Sequence, residues 1–270
     1  MLRDRLITAG ILVVILVPLV IFGGPEGIAV LVAVLGSIGL WELCRSLPAL
    51  KDFPGKELTL ALGLLVVAAF YAVPVEAAGA VLCGFPLVVI LVHLILYHRV
   101  QGTVESASQM ILALAYVAVP LSHAILLQRL EMGYAWILLI LVVICFGDTG
   151  AYFAGRTFGK HRLAPAVSPS KTVEGLAGCI AANFVGMLCV KAVFWDLPSL
   201  RQLFWATVVL AVAGPLGDLF ASMLKRRLGV KDFGSIMVGH GGVLDRADSL
   251  IPAIPALYYY LIFSGIAAPR

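Results

Sequence analysis

Between Asp218 and Asp248 the chain sets the carboxylates of Asp218, Asp245 and Asp248 among the cations of Lys225, Arg226, Arg227, Lys231 and Arg246, with Ser222, His240 and a glycine-rich turn between them. Clustered cations hold phosphates, and aspartates hold a hard cation such as Mg²⁺ that bridges the same phosphates. The mixture describes a polyphosphate site. If the first part is helical, Asp218, Ser222 and Lys225 (i, i+4, i+7) line one face, with Arg226 beside them. Asp245 and Asp248 (i, i+3) are expected to share a face at the start of the last helix. Each feature has an ordinary reading alone: aspartates open helices, cationic triplets end a span at a membrane face, and His-Gly-Gly makes a turn. Their succession within one run points to chemistry. Asp218 is the hardest to dismiss, because it lies in an apolar run three residues after Pro215. A lone carboxylate there is costly, so a cation partner is expected.

Two earlier stretches add candidates. Phe146-Gly-Asp148-Thr-Gly-Ala-Tyr152-Phe-Ala-Gly155-Arg156 places a carboxylate near the end of an apolar segment, with Gly147, Gly150 and Gly155 permitting close helix approach. An ionisable group at such depth is a functional candidate by default. Ser168-Pro-Ser-Lys171-Thr-Val-Glu174-Gly175 follows in a polar loop. Thr172 or Ser170 suits the N-cap of the next helix. Lys171 does not, since the helix dipole favours anions there; beside free backbone N–H groups it suits a phosphate.

The elements that must position these groups are apolar. Of the 270 residues 61% are hydrophobic and 13% charged, with a mean hydropathy of +1.05, which places the chain in the membrane class. The expected fold is all-α, a polytopic integral membrane protein of about nine helices. Its apolar segments run Leu6 to Phe22, Ile28 to Leu43, Leu58 to Val73, Val75 to Tyr97, Ala107 to Leu127, Ala135 to Ala154, Gly175 to Phe194, Gln202 to Met223 and Leu250 to Gly265. The fifth is the most diluted, by Ser106, Ser108, Gln109 and His123. With the amino terminus cytoplasmic, 15 of the 19 lysines and arginines fall on the cytoplasmic side, the positive-inside pattern. That side is then the side of the active site, in the cell's inner membrane. The net charge of +4 faces anionic lipid and anionic substrates and needs no nucleic acid.

Two halves are expected: residues 1–133, five helices without chemistry, and residues 134–270, four helices and two cytoplasmic loops carrying all of it. In the first half Glu42 and Arg45 (i, i+3) read as a surface ion pair, and His93 and His123 as histidines bonded between helices. Phe22-Gly-Gly-Pro-Glu26 lacks a small-x-small cleavage site, so the first segment is expected to be retained. The five cysteines form no C-x-x-C pair and read as small buried hydrophobes. No P-loop, G-x-G-x-x-G or H-E-x-x-H motif is present.

In order, Ser222-x-x-Lys225-Arg226, Lys231-Asp232 and His240-Gly-Gly-x-x-Asp245-Arg246-x-Asp248 resemble the signature of the phosphatidate cytidylyltransferase (CDP-diacylglycerol synthase) family. Asp148-x-x-Ala-Tyr-Phe-x-Gly-Arg and Ser168-Pro-x-Lys171-Thr-x-Glu174-Gly look like two more of its blocks, so the resemblance covers roughly residues 140–250. Met237, Val238 and Ala247 depart from the pattern without removing a polar group. The resemblance implies nucleotidyl transfer from CTP to phosphatidic acid, giving CDP-diacylglycerol and pyrophosphate, with Mg²⁺ and room for a second cation, in a homodimer. It implies Asp218, Asp245 and Asp248 as Mg²⁺ ligands and, with Lys171, as the catalytic set. Lys225, Arg226, Lys231 and Arg246 become phosphate contacts, Ser168 and Ser222 hydrogen bonders, His240 part of the nucleotide loop, and Asp148 a substrate-binding residue. The alternatives are a CTP-dependent lipid kinase or a cytidylyltransferase for another lipid phosphate. An ion-coupled transporter is disfavoured, since the carboxylates crowd towards one surface and no inverted repeat is apparent.

Overall fold

A computed structural model describes residues 14–51, 54–74, 77–96, 102–194, 198–236 and 241–268. After a helical stretch at 14–22 come α1 (Gly24–Ser46), α2 (Gly55–Ala72), α3 (Ala78–Ile95), α4 (Thr103–Gln128), α5 (Gly133–Phe158), α6 (Val173–Val193), α7 (Leu200–Leu228), a single turn α8 (Leu244–Ala247) and α9 (Leu250–Phe263). Among the described residues, the seven helices α1 to α7 are long and apolar enough to cross a membrane. The expected all-α membrane class is therefore right. Most of the first apolar segment lies outside the described residues, and α9 is short for a span, at 14 residues. One short hairpin interrupts the helices: β1 (Arg162–Ala164) pairs antiparallel with β2 (Ser168–Thr172), Arg162 opposite Thr172 and Ala164 opposite Ser168.

The chain divides into two compact units: residues 1–126 with 230–246, and residues 127–229 with 247–270. This differs from the division expected at residue 133, because segment 230–246 belongs with the first helices.

In the first unit α1 packs on α2, where Gly63 leaves room for the Leu40 side chain. The diluted fifth segment proves to be the most buried span, helix α4, 78% buried over its apolar window. Two of the polar residues that dilute it are bonded within the protein: Ser106 Oγ bonds His93 Nε2 of α3 at 3.0 Å, and Gln109 Oε1 accepts the Ala49 N–H at 2.9 Å. His123 bonds its own helix, at Val119 O, and lays its ring against Phe70 of α2. A π-helical turn at Leu114–Ala118 faces α1 and α2.

The second unit is built on a close α5–α6 pair, and its sequence explains the closeness. Gly150 lies against Gly178 and Ala182, Gly155 against Thr172 and Gly175, and Gly186 against Phe146, so no side chain holds the backbones apart. Helix α7 carries Pro215 and ends on Gly229 in the left-handed region (φ +71°). At Gly217 the absent side chain makes room for Asp248 O and Pro252, which seats the start of α9 on α7. Tyr260 of α9 donates to Gln202 O at 3.2 Å.

Candidate active site

In the second unit, Thr172 caps α6 by accepting the Gly175 N–H at 3.0 Å. The residue before it, Lys171, is thereby held at the helix entrance. Its Nζ lies 2.6 Å from Asp218 Oδ2 on α7, which supplies the cation partner that an aspartate in an apolar run requires. The Lys171 and Asp218 side chains are 23% and 37% exposed, while the Lys171 Nζ itself is shielded from solvent against the carboxylate.

Glu174 fastens the hairpin that delivers Lys171. It accepts the backbone N–H groups of Lys160 and His161, and its Oε1 lies 2.6 Å from His161 Nδ1. Arg226 Nε donates to Val167 O at 3.3 Å, tying the end of α7 to the same hairpin. Ser168 is buried at the start of β2, Ser222 and Lys225 are half-buried on α7, and Asp148 is exposed on α5.

Asp248 lies in the turn between α8 and α9, only 9% exposed, with its Oδ1 accepting the Ser249 N–H at 2.7 Å. Burial pushes its carboxyl up to about 7; the charge of Asp218 acts the same way, and so, more weakly, does that of Asp148. Lys225 and the Ser249 N–H pull it back. Three aspartates thus bear on one another here with two lysines among them. Asp248 does not continue a helix from Asp245: the chain turns at 248–249, so the two share no helical face, contrary to their i, i+3 spacing.

In the first unit, Asp245 Oδ2 accepts the N–H groups of Phe233 and Gly242, at 2.9 and 3.0 Å, closing the polar loop on itself. Lys231 and Arg246 are exposed on that loop. His240 lies outside the described residues.

The residue that sequence reasoning misplaced is Glu42. Expected in a surface pair with Arg45, it is fully buried (0% exposed), and its carboxylate accepts the N–H groups of Val243 and Leu244 at 3.1 and 2.8 Å. Arg45 instead lays its guanidinium over Trp41, 4.7 Å from the ring centre. The available signal was a carboxylate one turn after the small residue Gly39, a face suited to receive another segment of chain.

Among the described residues no three carboxylate, imidazole or thiolate groups converge closely enough to hold a metal alone. Mg²⁺ does not ask for that: it takes one or two carboxylates and fills its shell with water and substrate phosphates. Asp218 and Asp248, mutually repelling and with an ammonium already seated on Asp218, fit that role.

The sequence profile of the cytidylyltransferase family matches residues 3–264. The chain is also similar to phosphatidate cytidylyltransferase of Bacillus subtilis (strain 168), 34% identical over 264 residues that cover 96% of this chain and 97% of the relative. The Staphylococcus saprophyticus protein of the same name is 33% identical, with 96% of this chain and 99% of the relative covered. That of Staphylococcus aureus (strain COL) is 30% identical, covering 97% of this chain and 100% of the relative. With a match running nearly from end to end, this chain belongs to the cytidylyltransferase family.

Proposed function

We propose that this membrane protein transfers the cytidylyl group of CTP to phosphatidate, forming CDP-diacylglycerol and releasing pyrophosphate. The observation that carries the reading is the Lys171–Asp218 ion pair beside the buried Asp248 carboxylate, in a protein whose relatives are named for this reaction. A phosphate oxygen of the lipid forms a bond to the α-phosphorus of CTP as the bond to the β-phosphate oxygen breaks. The attacking oxygen is already ionised, so no general base is needed. The difficulty is that one anion must approach another, and positioned cations remove it.

Lys171 is suited to leave Asp218 for a phosphate oxygen when a divalent cation takes its place on the carboxylate. Mg²⁺, held by Asp218 and Asp248, would neutralise phosphate charge and stabilise the leaving pyrophosphate. Lys225 and Arg226, on the same stretch of α7, supply further positive charge, and Ser222 a hydrogen bond. Asp245 remains in the proposed set as the residue that shapes the loop bearing Lys231 and Arg246. We place the site on the cytoplasmic face of the inner membrane, from the positive-inside pattern, and the protein as a homodimer.

The test is pyrophosphate release by the purified, detergent-solubilised protein given CTP, Mg²⁺ and phosphatidate, each omitted in turn. Release needing all three, with the lipid gaining the mass of a CMP unit, is the expected result; a lipid gaining only phosphate overturns it. Lys171→Met and Asp218→Asn are expected to lose at least about 10²-fold in kcat/KM, the scale of a preorganised charge contact, with the purified yield unchanged. Full activity in either removes that residue from the site.

A further inference from the structure

The described segments 230–236 and 241–246 close over one buried carboxylate that takes no direct part in the reaction. Glu42 projects from the last turns of α1 and is fully buried. One of its oxygens takes the Val243 N–H at 3.1 Å and the other the Leu244 N–H at 2.8 Å. A methyl group at Gly242 would lie 2.5 to 2.7 Å from both oxygens and the carboxyl carbon, and one at Gly234 would strike the same side chain. Glycine is required at both positions because the loop backbone closes over Glu42 from two sides. One helical turn earlier on α1, Gly39 leaves room for the Leu244 side chain, itself 1% exposed.

Asp245 follows directly. Its Oδ2 draws together the N–H groups of Phe233 and Gly242, so the two ends of the loop are joined next to the two residues that Glu42 holds. A carboxylate accepting two backbone N–H bonds is a strong and directional anchor. Replacing it strands those donors in a buried place.

We propose that Glu42 is a positioning residue for catalysis: it sets the backbone at Val243 and Leu244, and so the register of the loop that presents Lys231, Asp245 and Arg246 to a phosphate-bearing substrate. This rests on the cytidylyl-transfer reading for the identity of that substrate. A glycine-rich loop flanked by cations suits the triphosphate of CTP, so the effect falls on the nucleotide side.

Two readouts test it. The first is independent of activity: hydrogen exchange of the Val243 and Leu244 amides in the intact protein in detergent. These amides are expected to be protected in the wild type and to exchange at least about tenfold faster in Glu42→Gln, which turns one acceptor into a donor; unchanged protection overturns the clasp whatever the enzyme does. The second is the division between KM and kcat. In Glu42→Gln the KM for CTP is expected to rise about tenfold at saturating phosphatidate, while the KM for phosphatidate stays within twofold and the thermal midpoint within a few degrees. A fall in kcat with both KM values unchanged means lost folded protein and overturns positioning.

The glycines guard against a variant that simply misfolds. Gly242→Ala is expected to weaken CTP use about tenfold alone, yet to add less than about twofold in a Glu42→Ala background, where the methyl group no longer meets a carboxylate; additive losses overturn the proposal. If the wild-type protein releases no pyrophosphate but the exchange result holds, the functional reading fails and the clasp survives.

Discussion

Asp248 is where burial and charge work against each other most plainly. Its carboxyl is raised from an ordinary value of 3.8 to about 7, so the folded state keeps a proton that the unfolded chain releases. The sign follows. As far as this group is concerned, stability is greatest below about pH 4, falls as the pH rises towards about 7, and is flat above. In chelator at pH 8, Asp248→Asn is therefore expected to raise the thermal midpoint of the purified protein, by the equivalent of at most about 4 kcal/mol for a shift of about three units. Millimolar Mg²⁺ should stabilise the wild type and leave the variant unmoved. A variant less stable than wild type under those conditions would show that Asp248 is not held against repulsion. Asp218 was legible from the sequence as a carboxylate needing a cation, because its depth in an apolar run forces one. Its partner was not, because Lys171 lies in a loop ahead of a different helix, and nothing in the local sequence couples the two. Glu42 was misread for a related reason: the i, i+3 rule reaches only along a helix, and its true partners are backbone groups that carry no side-chain signal.

At the scale of elements, the α5–α6 seam shows what a row of glycines does. A methyl group at Gly150 would run into Ala182 and the Gly178 backbone, whereas one at Gly84 on α3 would meet nothing within 4 Å. Gly150→Ala is therefore expected to destabilise by about 1–3 kcal/mol, the usual cost of overpacking a closed seam, and Gly84→Ala to be neutral or slightly stabilising. Thermal midpoints in detergent compare the two directly, and equal midpoints would mean the seam relaxes freely. Close helix approach was readable from Gly147, Gly150 and Gly155, since small residues in an apolar run have few other uses. The β1–β2 hairpin was not, because strands of three and five residues with charged and proline neighbours carry no alternating pattern. The break between α8 and α9 was also hidden: Asp245 and Asp248 have helical spacing, and only the turn at 248–249 separates them.

At the scale of the whole molecule, the membrane class followed from composition, and among the described residues seven of the nine expected spans appear as helices of sufficient length. Orientation rests on where the basic residues fall, and it can be checked in a cysteine-free background. Pro165→Cys in the exposed hairpin is expected to react with a membrane-impermeant maleimide only from the cytoplasmic face, and Ser199→Cys only from the other. Labelling of both from one face would refute the topology. The chain's division has a further consequence, for biosynthesis. The two donors that satisfy Glu42 lie 201 and 202 residues downstream, so the ribosome must make nine tenths of the 270-residue protein before they exist. Until Val243 and Leu244 emerge, α1 carries a carboxylate in apolar surroundings with neither of these donors, a state that favours water, lipid headgroups or a chaperone over tight packing. The first unit is begun first and finished almost last, and a nascent chain arrested before residue 243 should remain open to proteolysis in a way that one arrested after residue 246 does not.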